Sequence, residues 1–117
     1  MLEEFGYSID EANNGVMALT KIQERIELVR EEQAEMYKII LLDYSMPDLD
    51  GPQTARRILE LFQEHPSLSQ HMKPYICCCT AYTEEQYRRK AIEAGMDKFI
   101  TKPIFADQIK EILRRIQ

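Results

Sequence analysis

Three short segments with apolar centres each lead to a polar residue, and this limits the chain more than any other feature. Residues 39–42, "IILL", run into Asp43. Residues 75–80, "YICCCT", end at Thr80. Residues 98–101, "KFIT", are followed by Lys102. Short runs of this kind read as strands, and the continuous run at 39–42 reads as one buried on both faces. Between them lie helical patterns. Val16, Leu19, Ile22, Ile26 and Val29 recur at helical spacing, which predicts a helix from Val16 to about Met36. Residues 52–63, 83–94 and 106–116 predict three more, and residues 7–12 a short strand. Strands alternating with helices predict an α/β protein with a doubly wound parallel sheet. Such sheets place ligands at the carboxyl ends of their strands. Asp43, Thr80 and Lys102 are therefore expected at one edge.

Local signals sharpen the boundaries. "ANNG" at 12–15 reads as a turn. Pro52 suits the first turn of a helix. Thr83 and Gln86 have the spacing of a capping box, and Gly95 that of a C-terminal cap.

Cys77, Cys78 and Cys79 are adjacent, so on a strand they alternate between faces. They lack the second, spaced ligand pair of a metal or redox site and read as small apolar filler. With three cysteines and no basic-then-apolar leader at the N-terminus, a reducing, cytoplasmic setting is expected. A net charge of −5 argues against a sequence-independent nucleic-acid binder and a basic membrane-surface helix. No stretch approaches the roughly 20 apolar residues of a membrane span. A length of 117 residues fits one domain.

A carboxylate, a hydroxyl and an ammonium at one edge can handle a phosphoryl group. The carboxylate is the nucleophile and becomes an acyl phosphate. The ammonium and a divalent metal neutralise the equatorial oxygens. Taken singly, Asp43 reads as a turn or helix cap, Lys102 as a solvated lysine, Thr80 as strand filler and Phe99 as core. Together, in order and at strand ends, they form a pattern.

That pattern, Asp43-Tyr-Ser-Met46-Pro47, Asp50-Gly51, Thr80-Ala81 and Phe99-Ile-Thr-Lys102-Pro103, resembles the receiver domain of two-component response regulators from Leu2 onward. The resemblance implies a flavodoxin-like fold spanning 1–117 as a single domain. It implies that Asp43 is the phosphoacceptor, that Lys102 contacts the phosphate, and that Thr80 and Phe99 are the switch pair. It also implies Mg²⁺ held by Asp43, the Ser45 backbone carbonyl and an acidic pair ending a first strand, and a cis Lys102–Pro103 bond. A histidine kinase or histidine phosphotransfer protein is the implied partner, with a dimer through the last two helices. The implied role is a signalling domain rather than an enzyme.

The family's first strand and its acidic pair have no counterpart here, and residues 1–5 align with the end of the first helix. An N-terminally truncated receiver, weak or absent Mg²⁺ binding and marginal stability are therefore expected. A receiver-shaped binding module that is never phosphorylated is the alternative. A haloacid-dehalogenase-like phosphohydrolase needs a second aspartate two residues after Asp43, where Ser45 stands. A Ca²⁺ loop around Gly51 would put Met46 first and Arg57 last, and fails.

Overall fold

The computed structural model describes residues 14–45, 49–66, 73–81 and 83–116. The expected strand at 7–12, the helix end at 1–5 and the Met46-Pro47 motif lie outside them. The described elements are α1 (Gly15–Arg30), β1 (Ile39–Asp43), α2 (Gly51–Gln63), β2 (Tyr75–Thr80), α3 (Glu85–Glu93), β3 (Lys98–Thr101) and α4 (Ala106–Ile116). The strands form one parallel sheet in the order β1-β2-β3. The alternation of strands and helices has produced the doubly wound architecture.

The sheet separates two apolar layers. On one face Leu42, Ile76 and Cys78 meet Ile22 and Ile26 of α1, Ala55, Ile58 and Phe62 of α2, and Ala91 of α3. On the other, Cys77 and Ile100 meet Ile109, Ile112 and Leu113 of α4. β2 lies between β1 and β3, and all of its residues after Tyr75 are buried. The three cysteines are free and buried in that strand, alternating between faces.

β1 differs from expectation. Ile39, Ile40 and Leu41 are half-buried, and only Leu42 in the strand is fully buried. Among the described residues β1 pairs with β2 alone, and no described strand covers its other edge.

α1 stops at Arg30, short of Met36. Residues 31–33 are Glu, Glu and Gln, with nothing apolar to bury. Glu32 turns to the left-handed region at φ 59°. The Gln33 N–H then donates to the Leu28 carbonyl at 2.8 Å and the Glu32 N–H to that of Val29 at 3.0 Å, closing the helix. Met36 joins the core beyond this turn. Arg25 holds the return, 4.7 Å over the Tyr37 ring and bonded to the Glu35 carbonyl.

"ANNG" does not close a turn at its second half. Asn14 caps α1, its side chain accepting from the Met17 N–H at 2.8 Å. Gly15 opens the helix because a Cβ there would strike Thr54 and Leu49.

The capping box expected at Thr83 and Gln86 is not formed. α3 begins at Glu85, so Glu84 is the cap and makes no side-chain cap bond. The third helical residue is then Tyr87, which has no carbonyl or carboxylate to reach back. The box occurs on α2 instead. The Gln53 N–H donates to Asp50 at 2.8 Å, and the Asp50 N–H donates to the Gln53 side chain at 3.0 Å. Pro52 lies in the first turn of α2, Gly95 closes α3 at φ 90°, and the Lys102–Pro103 bond is cis.

Candidate functional site at the strand ends

The register brings the carboxyl ends of all three strands level. Asp43 pairs with Cys79, Cys79 with Ile100, and Thr80 with Thr101. Adjacent strands lie about 4.8 Å apart, within reach of a long side chain. Lys102 crosses from the end of β3 and places its Nζ 2.8 Å from Asp43 Oδ1. Thr80 lies between them in the chain path, and its carbonyl accepts from the Lys102 N–H at 2.8 Å.

Asp43 and Lys102 are each about half exposed at the side chain. Solvent screens such a pair, so its own contribution to stability is under about 1 kcal/mol. The hydrogen bond to Asp43 still holds the Lys102 ammonium above the usual lysine range, outweighing the opposing effect of burial. Lys102 is therefore a fixed cation at neutral pH, in hydrogen-bond contact with one carboxylate oxygen.

Thr80 is buried at 3% exposure. The pleat starts its side chain on the α2–α3 face, opposite to Cys79. Phe99 is half-buried and packs on the same face, against the core that holds Tyr44. Ser45 is exposed two residues past Asp43.

Two residues, Gly51 and Tyr44, position Asp43 in ways that the sequence pattern did not assign them. Gly51 donates its N–H to the Tyr44 carbonyl at 2.8 Å. A Cβ on Gly51 would lie 2.5 Å from the Asp43 carbonyl oxygen and 3.1 Å from Tyr44 Cα, so the start of α2 can seat against the end of β1 only with no side chain there. Tyr44 is buried, and its ring meets that of Tyr87 edge-on at 5.2 Å. The Asp-Gly pair hinted at the first; nothing local announces the second.

Cys79 shares a row with Asp43, yet it is not a nucleophile. Burial, with the Asp43 charge adding and Lys102 opposing, pushes its thiol up to about 11. Burial first, then neighbouring thiols and carboxylates, pushes Cys77 and Cys78 up to about 12. The thiolate is the reactive form, so these thiols are inert near neutral pH.

The described residues do not by themselves fit a divalent ion. Among them no group of three or more His, Cys, Asp or Glu side chains could hold a metal. At the strand ends Asp43 offers one carboxylate, already engaged by Lys102, and Asp50 is committed to capping α2. Mg²⁺ demands near-octahedral oxygen coordination.

Comparison with known proteins adds a second line. The family described as the response regulator receiver domain matches residues 1–114. Histidine protein kinase 1 of Candida albicans is 35% identical over 115 residues, which cover 98% of this chain but 4% of that protein. The chain thus spans a small fraction of that relative. A two-component response regulator from Clostridium difficile has a similar structure, with a TM-score of 0.75 and 25% identity, covering 98% of this chain and 78% of the other. The receiver domain of a sensor histidine kinase from Pseudomonas aeruginosa PAO1, which has a magnesium ion coordinated in its active-site cleft, matches with a TM-score of 0.62 and 26% identity, covering 97% and 80%.

Proposed function

The chain belongs to the response regulator receiver domain family, and from that premise we propose that Asp43 accepts a phosphoryl group from a histidine kinase or a histidine phosphotransfer protein. Receiver domains are signalling domains of phosphorelays. The observation that supports Asp43 is the Lys102 ammonium, 2.8 Å from its carboxylate at the carboxyl edge of a parallel sheet. In this reading residues 1–117 act as one domain in the cytoplasm. Among the described residues no helix is long and apolar enough to cross a membrane.

In the proposed step an Asp43 carboxylate oxygen attacks phosphorus, an O–P bond forms, and the P–N bond to the donor imidazole breaks. Bringing a phosphoryl dianion to a carboxylate sets like charges together. At an effective dielectric near 20, each such pair costs about 4 kcal/mol at 4 Å. Lys102 is the cation in place to offset part of that and to hold an equatorial oxygen. Thr80 donates a hydrogen bond to another oxygen, and Phe99 fills the space that Thr80 leaves on moving. The described residues alone offer one carboxylate at the strand ends, and with that donor set weak Mg²⁺ binding and slow uptake of phosphate are expected.

That same single carboxylate favours a second reading, a receiver-shaped module that binds a partner without being phosphorylated. Intact-mass measurement after incubation with acetyl phosphate separates the two. Under the first reading the protein gains a phosphoryl group that Asp43→Asn abolishes; undiminished labelling of Asp43→Asn removes Asp43 as the acceptor.

A further inference from the structure

We propose that Cys79 is a positioning residue for the Asp43–Lys102 pair: its side chain is the apolar floor over which Lys102 crosses β2. Asp43, Cys79 and Ile100 are partners in register across the three strands, so their side chains leave the sheet on one face. Ile100 marks that face as the one under α4. Lys102 follows Ile100 by two residues, and its Nζ lies 2.8 Å from Asp43 Oδ1 on β1. The lysine stem therefore passes over the end of β2. Thr80, the last residue of β2, starts its side chain on the opposite face. Cys79 is then the last β2 side chain on the face that the lysine crosses.

The surroundings of Cys79 agree with that place. It is 2% exposed, yet among the described residues it joins neither apolar layer, unlike Cys77 and Cys78. Its thiol feels both ends of the bridge: the Asp43 carboxylate adds to the upward push of burial, and the Lys102 ammonium opposes it. Among the described residues no hydrogen bond engages the thiol. A thiol is a weak donor and a weak acceptor, whereas a lysine ammonium carries three donors. An amide in place of the thiol would have to find a partner, as buried polar groups do. The two strand-end charges are within its reach, so it would draw the ammonium away from Asp43. The small apolar thiol leaves the Asp43–Lys102 bond uncontested from below. Cys79 thus acts through Lys102 and not on a reacting atom. Its effect on phosphoryl uptake rests on the function proposed above; its hold on the ion pair does not.

The test has a phosphate-free arm and a kinetic arm, both on the whole protein. In the first, nuclear Overhauser contacts are expected between the Cys79 β protons and the Lys102 stem, and their absence overturns the floor. The Asp43 carboxyl carbon resonance then reads the ion pair. It is expected to move in Cys79→Asn towards its position in Lys102→Met, and to stay in Cys79→Ala; no movement in Cys79→Asn overturns the proposal. In the second arm, intact mass follows uptake from acetyl phosphate. Cys79→Asn is expected to slow uptake about tenfold or more, the effect of a misplaced group, and Cys79→Ala to keep it within about twofold. In a Lys102→Met background Cys79→Asn is expected to add less than about twofold. Equal slowing in both backgrounds would mean a loss of fold rather than of positioning, and overturns the proposal. If Cys79→Asn does not fold, Cys79→Ser, close to cysteine in size, is read in its place with about threefold slowing expected. A parent that takes up no label counts against phosphorylation of Asp43, while the phosphate-free arm still decides the role of Cys79.

Discussion

Lys102 and Asp43 meet at 2.8 Å from the ends of two strands that are not neighbours, with β2 running between them. The reach of one lysine side chain therefore ties together the two outer strands of the described sheet.

Replacing Lys102 by Met should separate chemistry from stability. Phosphoryl uptake at Asp43 is expected to fall about 100-fold or more, the effect of removing a preorganised charge stabiliser. Unfolding free energy should change by less than about 1 kcal/mol, because the pair is half exposed. Intact-mass time courses and urea titration of the same variant measure both.

The pair also has a pH signature. Its hydrogen bond raises the folded-state pKa of Lys102 above its unfolded value. The associated stability is therefore fully present below the ordinary lysine value of 10.5 and is lost as pH rises through the folded-state value. Melting temperatures of the parent and Lys102→Met should keep a constant gap from pH 7 to 9 and converge in strong alkali. A gap that opens as pH rises would contradict this.

Gly51→Ala should damage both fold and site. Its methyl would lie 2.5 Å from the Asp43 carbonyl, so either β1 or α2 must give way. A loss of about 1–3 kcal/mol is expected, with slower phosphate uptake, read by urea titration and intact mass. Full activity with unchanged stability would show that the contact relaxes freely.

Ellman's reagent should find no reactive thiol in the native chain at pH 8 and three after denaturation, since all three cysteines are buried and their thiols shifted upward. One fast native thiol would break the packing of β2.

Calorimetric titration with Mg²⁺ should give a dissociation constant above about 1 mM, the weak end for hard-cation sites. Tighter binding would mean that further oxygen donors reach Asp43.

What could be read before folding followed physical scale. The bounds of β2 and α4 were legible because apolar periodicity and flanking polarity agree along those segments. The end of α1 was not, because Glu32 adopts the left-handed region without the glycine that usually signals it. The Asp50–Gln53 box had its signal in the spacing, whereas the Thr83–Gln86 spacing carries no box because α3 begins at Glu85. That Asp43 and Lys102 share an edge follows from both ending strands of one parallel sheet. What each does there does not follow from position, and the Tyr44–Tyr87 contact depends on where α3 comes to rest.

β2 carries one more consequence. Cys77 belongs to the layer under α4 and Cys78 to the layer under α1, α2 and α3. Residues one peptide bond apart normally perturb each other when both are changed. Here the sheet is a party wall, and each occupant answers to tenants on its own side. The α4 layer can drift in sequence, or be rebuilt, while the rooms around Tyr44 and Tyr87 keep their furniture.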